Sequence, residues 1–274
     1  MSGVRGGSGP TRVIKIGGRA QSDPALAGAL AAAWQTAPRS LVVVHGGGDE
    51  VSALQRAFGA TPAFVDGRRV TSADDIDLLR MALSGSANKR LVAAIVSRGV
   101  SAVGLSGEDA ALLTAEPLDA GTLGCVGDPR RANVGLVRYL LEGGYLPVIS
   151  PLSRNATSSS HGAPPSAALN VNGDDAAALL AAALEADELL LVADVAGVLV
   201  DGCVVPELAP GAAGKPISSG VASGGMVAKL EAALAALAGG VSRVRIGDVS
   251  AIQDPTRGTV VSRSRAAALS RSVA

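Results

Sequence analysis

The strongest constraint in this sequence is a repeated unit, a short aliphatic run that stops at glycine and is followed by a helix-like stretch. "VIKI" (residues 13–16) ends at Gly17 and Gly18, and "LVVV" (41–44) passes through His45 into Gly46, Gly47 and Gly48. "SAVGLSG" (101–107), "YLPVISPL" (145–152), "ELLLVADVAGVLV" (188–200) and "VSRVRIGDV" (241–249) are read as further strands, and the stretches between them as mostly helical. Aliphatic runs without in/out alternation need both faces covered. Strands that alternate with helices therefore predict an α/β fold, a three-layer α/β/α sandwich around a mostly parallel central sheet. Hydrophobic residues make up 48% of the 274 and aromatics only 2%, so alanine, leucine and valine must fill the core.

The helices carry start and stop signals. "DPALAGALAAAWQTA" predicts a helix with Asp23 as N-cap and Pro24 at its first position. "DEVSALQRAFGA" ends near Gly59, and "DDIDLLRMALSGSANKRLVAAIVSRG" reads as one long or broken helix. "NGDDAAALLAAALEA" and "ASGGMVAKLEAALAALAGG" give two more in the second half. The Gly/Ser-rich residues 1–11 predict a disordered tail, followed by one domain over 12–274 with lobes at about 12–168 and 169–274. The polar segment "SRNATSSSHGAPPSAA" (153–168) reads as a loop or hairpin.

Composition excludes several function classes. Lysine plus arginine equals aspartate plus glutamate at 24 each, which gives no reason to expect nucleic acid or an anionic membrane as partner. Cys125, Cys203, His45 and His161 are too few for a disulfide framework or a Cys/His zinc site, so no protein metal site is expected. The cysteines are read as small apolar residues in a reducing compartment. No apolar run reaches membrane-span length and the N-terminus lacks a signal-peptide core, so the expectation is a soluble cytoplasmic protein.

Ligands of open α/β sheets bind at the carboxyl ends of the strands. Three such ends carry glycines: Gly17-Gly18, Gly46-Gly47-Gly48, and Gly104 with Gly107. Glycine lets backbone N–H groups close on an anion, and a following helix N-terminus adds its dipole. Neither the G-x-x-x-x-G-K-[ST] nor the G-x-G-x-x-G pattern is present, so this phosphate site belongs to neither common class. Lys15 sits beside the first glycine pair. Lys229 falls about one turn into a helix that begins at Gly224-Gly225, a position unfavourable to a cation unless an anion is bound there. Asp174, at the start of the "NGDDAAALL" helix, is read as a cap or as the group that orients the lysines.

The ordered set of motifs resembles the amino-acid kinase family. It comprises "KIGG", "VHGGG", "GRRVT", "ANKRLV", "VGLSGEDA", "GYLPVIS", "NVNGDDAA", "ADVAGVL" and "GGMVAK", covering roughly residues 12–260. "GRRVT" with "NVN" is most similar to the acetylglutamate kinase branch. The resemblance implies ATP-dependent phosphorylation of the side-chain carboxylate of an N-acylated acidic amino acid, giving an acyl phosphate as in arginine biosynthesis. It implies that Lys15 and Lys229 stabilise the phosphoryl group and that Asp174 holds them. Gly17, Gly18, Gly47 and Gly48 would face the phosphate, and Arg69 and Asn170 would bind the substrate. Asp194, Gly197, Gly225, Met226 and Lys229 would line the nucleotide site, with Met226 packing near it.

The chemistry suits these residue types. A carboxylate nucleophile is already ionised at neutral pH and needs no general base, so His45 is read as structural. The reaction needs charge compensation and in-line positioning of two anions, which lysines and a planar arginine supply. Mg²⁺ would accompany ATP, held mainly through phosphates and water. An alternative is a kinase of carrier-linked or N-acetylated aminoadipate in lysine biosynthesis, which Arg68, Arg69, Arg130 and Arg131 would serve as a docking surface. A further alternative is a non-catalytic amino-acid sensor on the same fold. The resemblance also leads to the expectation of a homodimer without arginine feedback.

Overall fold

The computed structural model of the chain describes residues 10–156, 168–209 and 225–262. The tail expected to be disordered falls, over residues 1–9, outside the described residues. β1 (Arg12–Ile16) is buried along most of its length, and Val13, Ile14 and Ile16 have no exposed surface. It pairs in parallel with β2 (Leu41–His45), which sets Lys15 opposite Val44. The helix between them, α1 (Leu26–Thr36), starts later than predicted. The Asp23 carboxylate accepts the Ala25 N–H at 2.8 Å and its carbonyl accepts the Leu26 N–H, so Asp23 caps a turn ahead of the helix.

α2 (Gly48–Ala57) begins inside the second glycine run. A small hairpin of β3 (Phe64–Val65) and β4 (Arg68–Arg69) follows. α3 (Ala73–Leu79) opens with a capping box between Ser72 and Asp75. It continues through a π-helical stretch, Arg80–Ala87, into α4 (Asn88–Val96). The long stretch read as one helix or a broken one is therefore continuous, with a wider turn in its middle. Such π segments rotate the residues that follow them, and here the segment sets Leu83 and Ala87 against Gly47.

The rest of the chain adds β5 (Ala102–Ser106), β6 (Leu113–Pro117), the short α5 (Ala120–Leu123), β7 (Val126–Ala132), α6 (Gly135–Glu142) and β8 (Leu146–Ser150). Next come β9 (Leu152–Asn155), β10 (Ala168–Val171), α7 (Gly173–Ala183) and β11 (Glu188–Val192). β12 (Leu199–Val200), β13 (Cys203–Val204), β14 (Glu207–Leu208), α8 (Gly225–Ala238), β15 (Arg243–Gly247) and β16 (Thr259–Ser262) complete the described elements. Eight strands form the main sheet in the order β14-β16-β15-β11-β1-β2-β8-β5. Every neighbouring pair is parallel except β15 with β16. The predicted α/β class with a mostly parallel central sheet is the observed one.

Several local expectations change. "ELLLVADVAGVLV" is not one strand: β11 stops at Val192, the chain turns through Asp194, and Leu199–Val200 belongs to a separate hairpin. Between Asp66 and Arg131 the sequence pattern is less regular, and the later part, β6 and β7, feeds a second sheet. In that sheet β9, β10, β7 and β6 close on themselves by alternating antiparallel and parallel pairings. The polar segment at 153–168 is a hairpin in its described arms, β9 and β10, and residues 157–167 lie outside the described residues. Cys125 is half-buried, but Cys203 is exposed rather than packed, because it sits in the β12–β13 hairpin.

Candidate active site

The carboxyl ends of β1, β2 and β11 meet the amino ends of α2, α7 and α8 around one carboxylate. Lys15 Nζ lies 2.9 Å from Asp174 Oδ1, and Lys229 Nζ lies 3.3 Å from Asp174 Oδ2. All three side chains are buried. The strand end delivers Lys15, and the first turns of α7 and α8 deliver Asp174 and Lys229. Asp174 is not the cap of its helix. Asn172 is, accepting the Asp174 N–H at 2.8 Å, and this leaves the aspartate free to serve the lysines. Burial pushes the Asp174 pKa up, but the two ammonium groups outweigh it and the net shift is downward. Burial and then repulsion from Lys15 lower the Lys229 pKa, with Asp174 opposing them. Two ammonium groups and one carboxylate make a buried cluster with one net positive charge, a setting that favours an anion.

Two cavities flank this cluster. One, of about 220 Å³, is bounded by Lys15, Gly18, Gly48, Arg69, Asn170 and Asp174. The other, of about 400 Å³, is bounded by Gly17, Gly18, Asp194, Gly225, Met226 and Lys229. Gly18 borders both. The two glycine loops abut, since a Cβ on Gly18 would lie 3.7 Å from the Gly48 nitrogen. Gly47 has φ +154°, and a Cβ there would come within 2.7 Å of Leu83, so only glycine fits. α2, with its free amino end at Gly48, thus directs N–H groups and a helix dipole at the first cavity.

Some expected site residues lie elsewhere. Gly197 does not line the second cavity; it is wedged against Thr259 and Val204. Gly104 and Gly107 line neither of the two cavities: Gly104 lies inside β5, under the Asn88 side chain, and Gly107 packs on Leu113 and the Leu152 carbonyl. Asp194 is at the cavity wall but exposed, and its ion pair with Arg19, 3.0 Å away, lowers its pKa. His45 is structural, as read. It is fully buried; Nδ1 donates to the Gly46 carbonyl at 2.7 Å and Nε2 accepts from Asn88 Nδ2 at 3.0 Å. Burial lowers its pKa to about 4.

Arg69 and Asn170 both line the first cavity, held by Gly48 and Thr71 together with Ser52, Gln55, Phe64 and Asp75, which lie outside the quoted motifs. Arg69 donates through Nη1 to Gln55 Oε1 at 2.5 Å and through Nη2 to the Gly48 carbonyl at 2.7 Å and Ser52 Oγ at 2.8 Å. Its guanidinium stacks 4.7 Å from the Phe64 ring centre. Gln55 in turn donates to Asp75 at 2.6 Å. Burial lowers the Arg69 pKa against the opposing pull of Asp75 and Asp49. Asn170 donates to Thr71 Oγ1 at 2.9 Å, and Thr71 donates to the Arg69 carbonyl at 3.0 Å. The one hint in the sequence is the i, i+3 spacing of Ser52 and Gln55, two polar residues that share a buried face with Val51, and it does not name their partner.

The sequence profile of the Amino acid kinase family matches residues 10–248. The chain belongs to the amino-acid kinase family. Acetylglutamate kinase of Chloroflexus aurantiacus (strain ATCC 29366 / DSM 635 / J-10-fl) is 45% identical over 88% of this chain and 93% of its own length. Acetylglutamate kinase of Geobacillus kaustophilus (strain HTA426) is 39% identical over 87% and 90%. Among solved structures, smu.665 from Streptococcus mutans UA159 superposes with a TM-score of 0.80 at 30% identity, covering 92% of this chain and 98% of that one. Carbamate kinase from Giardia lamblia bound to AMP-PNP has a TM-score of 0.70 at 16% identity, covering 94% and 99%, a likeness of fold alone. Within an amino-acid kinase, a paired-lysine carboxylate between two cavities suits phosphoryl transfer from one bound anion to another.

Proposed function

We propose that the protein transfers the terminal phosphoryl group of ATP to the side-chain carboxylate of N-acetyl-L-glutamate, forming N-acetylglutamyl 5-phosphate for arginine biosynthesis. The Lys15–Asp174–Lys229 cluster between the two cavities carries this reading. The acceptor occupies the cavity of Arg69 and Asn170, and the nucleotide occupies that of Asp194, Gly225 and Met226. The attacking carboxylate is ionised at neutral pH, so the protein's task is to align two anions and neutralise their repulsion. Lys15 meets the phosphoryl group from the acceptor side and Lys229 from the nucleotide side, while Asp174 keeps both ammonium groups in place. The N–H groups of Gly18 and Gly48 close on the same oxygens.

Among the described residues no group of three His, Cys, Asp or Glu side chains forms a metal cage. Asp174 is committed to the lysines, so Mg²⁺ in this reading is held by nucleotide phosphates and water, where it neutralises phosphate charge. The carrier-linked form of the aminoadipate alternative needs a basic docking surface. Arg130 is instead paired with Glu116 and Asp128, and Arg68 with Asp175. No described helix is long and apolar enough to cross a membrane, and the reading includes a cytoplasmic setting. Its homodimeric part rests on the family resemblance; light scattering tests it, a two-chain mass supporting it and a monomer or hexamer contradicting it.

A coupled ADP-release assay on N-acetylglutamate, N-succinylglutamate and N-acetylaminoadipate tests the substrate. N-acetylglutamate should give the highest kcat/KM, and preference for aminoadipate would move the reading to the lysine pathway.

A further inference from the structure

β4 carries two arginines to the wall of the acceptor cavity, and they are held differently. Arg69 is tied to α2 through Gly48, Ser52 and Gln55. Arg68 is tied by one edge only: its Nη2 donates to Asp175 Oδ2 at 3.1 Å, across from α7. Its Nη1 is buried, lacks a hydrogen-bond partner among the described residues, and belongs to a side chain that lines the cavity. A buried guanidinium N–H without an acceptor is costly, and on a side chain that lines a cavity a small turn of the guanidinium lets a ligand oxygen satisfy it. Asp175 follows directly on Asp174, so the anchor that aims Arg68 is built into the same helix turn that holds the lysines.

The ligand chemistry follows from charge. Two guanidinium groups on one wall repel a free α-ammonium, whereas an N-acyl amide is neutral there and offers a carbonyl oxygen. We infer that Arg68 is a specificity-determining residue: its Nη1 donates to the acyl carbonyl of the substrate, and Asp175 positions it, so that the site selects acylated over free acidic amino acids. This rests on the proposed function and assigns the acyl-reading role to a side chain outside the phosphoryl-transfer cluster.

The experiment measures kcat and KM for N-acetylglutamate and free glutamate in the wild type, Arg68→Leu, Arg68→Lys and Asp175→Asn, with thermal melts to verify folding. In Arg68→Leu the KM for N-acetylglutamate should rise at least tenfold while kcat stays within about threefold. The ratio of kcat/KM for acetylglutamate over glutamate should fall at least tenfold. Arg68→Lys should recover part of both, and Asp175→Asn should shift KM in the same direction by less. If Arg68→Leu does not fold, Arg68→Lys and Asp175→Asn carry the test, and wild-type KM and selectivity in both overturn the inference. A folded Arg68→Leu with wild-type KM and selectivity overturns it while leaving the kinase reading intact. A wild type that does not turn over N-acetylglutamate overturns the kinase reading and the inference with it.

Discussion

Lys15 Nζ stands 2.9 Å from Asp174 Oδ1, a contact that ties the end of β1 to the first turn of α7 beneath both cavities. The Asp174 carboxylate spends its second oxygen on Lys229, at 3.3 Å. Removing its charge leaves two buried ammonium groups repelling each other. Asp174→Asn should therefore destabilise the protein by about 3–5 kcal/mol, the cost of breaking a buried pair. It should also alter the pH–rate profile. In the proposed reaction Lys229 acts protonated, and its pKa already lies below the ordinary lysine value because of burial and Lys15, so activity should fall as pH rises through that lowered value. Without Asp174 the value drops further, and the alkaline limb of kcat should move to lower pH. An unmoved limb in a folded variant would argue against the orienting role.

The two lysines should be separable by kinetics. Lys15→Ala and Lys229→Ala should each lower kcat by about a hundredfold or more, roughly 3 kcal/mol of lost transition-state stabilisation. Lys229 borders the cavity proposed for the nucleotide and Lys15 the one proposed for the acceptor. The KM for ATP should thus respond more to Lys229→Ala, and the KM for N-acetylglutamate more to Lys15→Ala. Steady-state kinetics with each substrate varied in turn would display the split.

Thr71 is fully buried between Asn170 and the Arg69 carbonyl. Thr71→Val keeps the shape and removes the hydroxyl, so Asn170 loses its acceptor. The KM for N-acetylglutamate should rise about tenfold, close to 1.4 kcal/mol, with little change in kcat. Thr71→Ser should restore it. Equal losses in kcat would place Thr71 in the transition state instead.

How much of this was legible in sequence depends on how local each interaction is. Lys15, Lys229, Asp174 and the glycine loops stood out because each is set by a strand end or a helix start, signals written in a few adjacent residues. The shell around Arg69 was not legible, since Ser52, Gln55 and Asp75 acquire meaning only when α2 packs on α3 and β4. Arg68 was visible as charge, but its partner Asp175 was marked only as part of a helix start. Gly197 enters the nucleotide set through the family resemblance alone, and its packing against Thr259 and Val204 depends on the β12–β13 hairpin and β16, which no local pattern marks. The buried pairing of Arg245 with Glu188, Nε to Oε1 at 2.6 Å, joins neighbouring strands that lie far apart in sequence. The closed four-stranded sheet likewise depends on long-range pairings that no local pattern announces.

His45 supplies a pH signature of stability. Its pKa, lowered to about 4 by burial, lies below its value of about 6.5 in an unfolded chain. Between these values the unfolded state binds a proton that the folded state refuses, so stability falls as pH drops from about 6.5 to about 4 and loses nothing more to His45 below that. The loss is on the order of 3 kcal/mol. Urea unfolding of wild type and His45→Gln across this range checks it. The variant should start less stable and show a flatter slope, and parallel slopes would remove His45 as the cause.

The most direct measurement traps the product. An acyl phosphate reacts with hydroxylamine to give a hydroxamate that an alcohol-phosphorylating kinase does not produce. Incubated with ATP, Mg²⁺, N-acetylglutamate and hydroxylamine, the wild type should form N-acetylglutamyl hydroxamate in step with ADP, and Lys15→Ala should form about a hundredfold less. ADP without hydroxamate, no turnover at high millimolar N-acetylglutamate, or an undiminished rate in Lys15→Ala would contradict carboxylate phosphorylation at the Lys15–Asp174–Lys229 cluster.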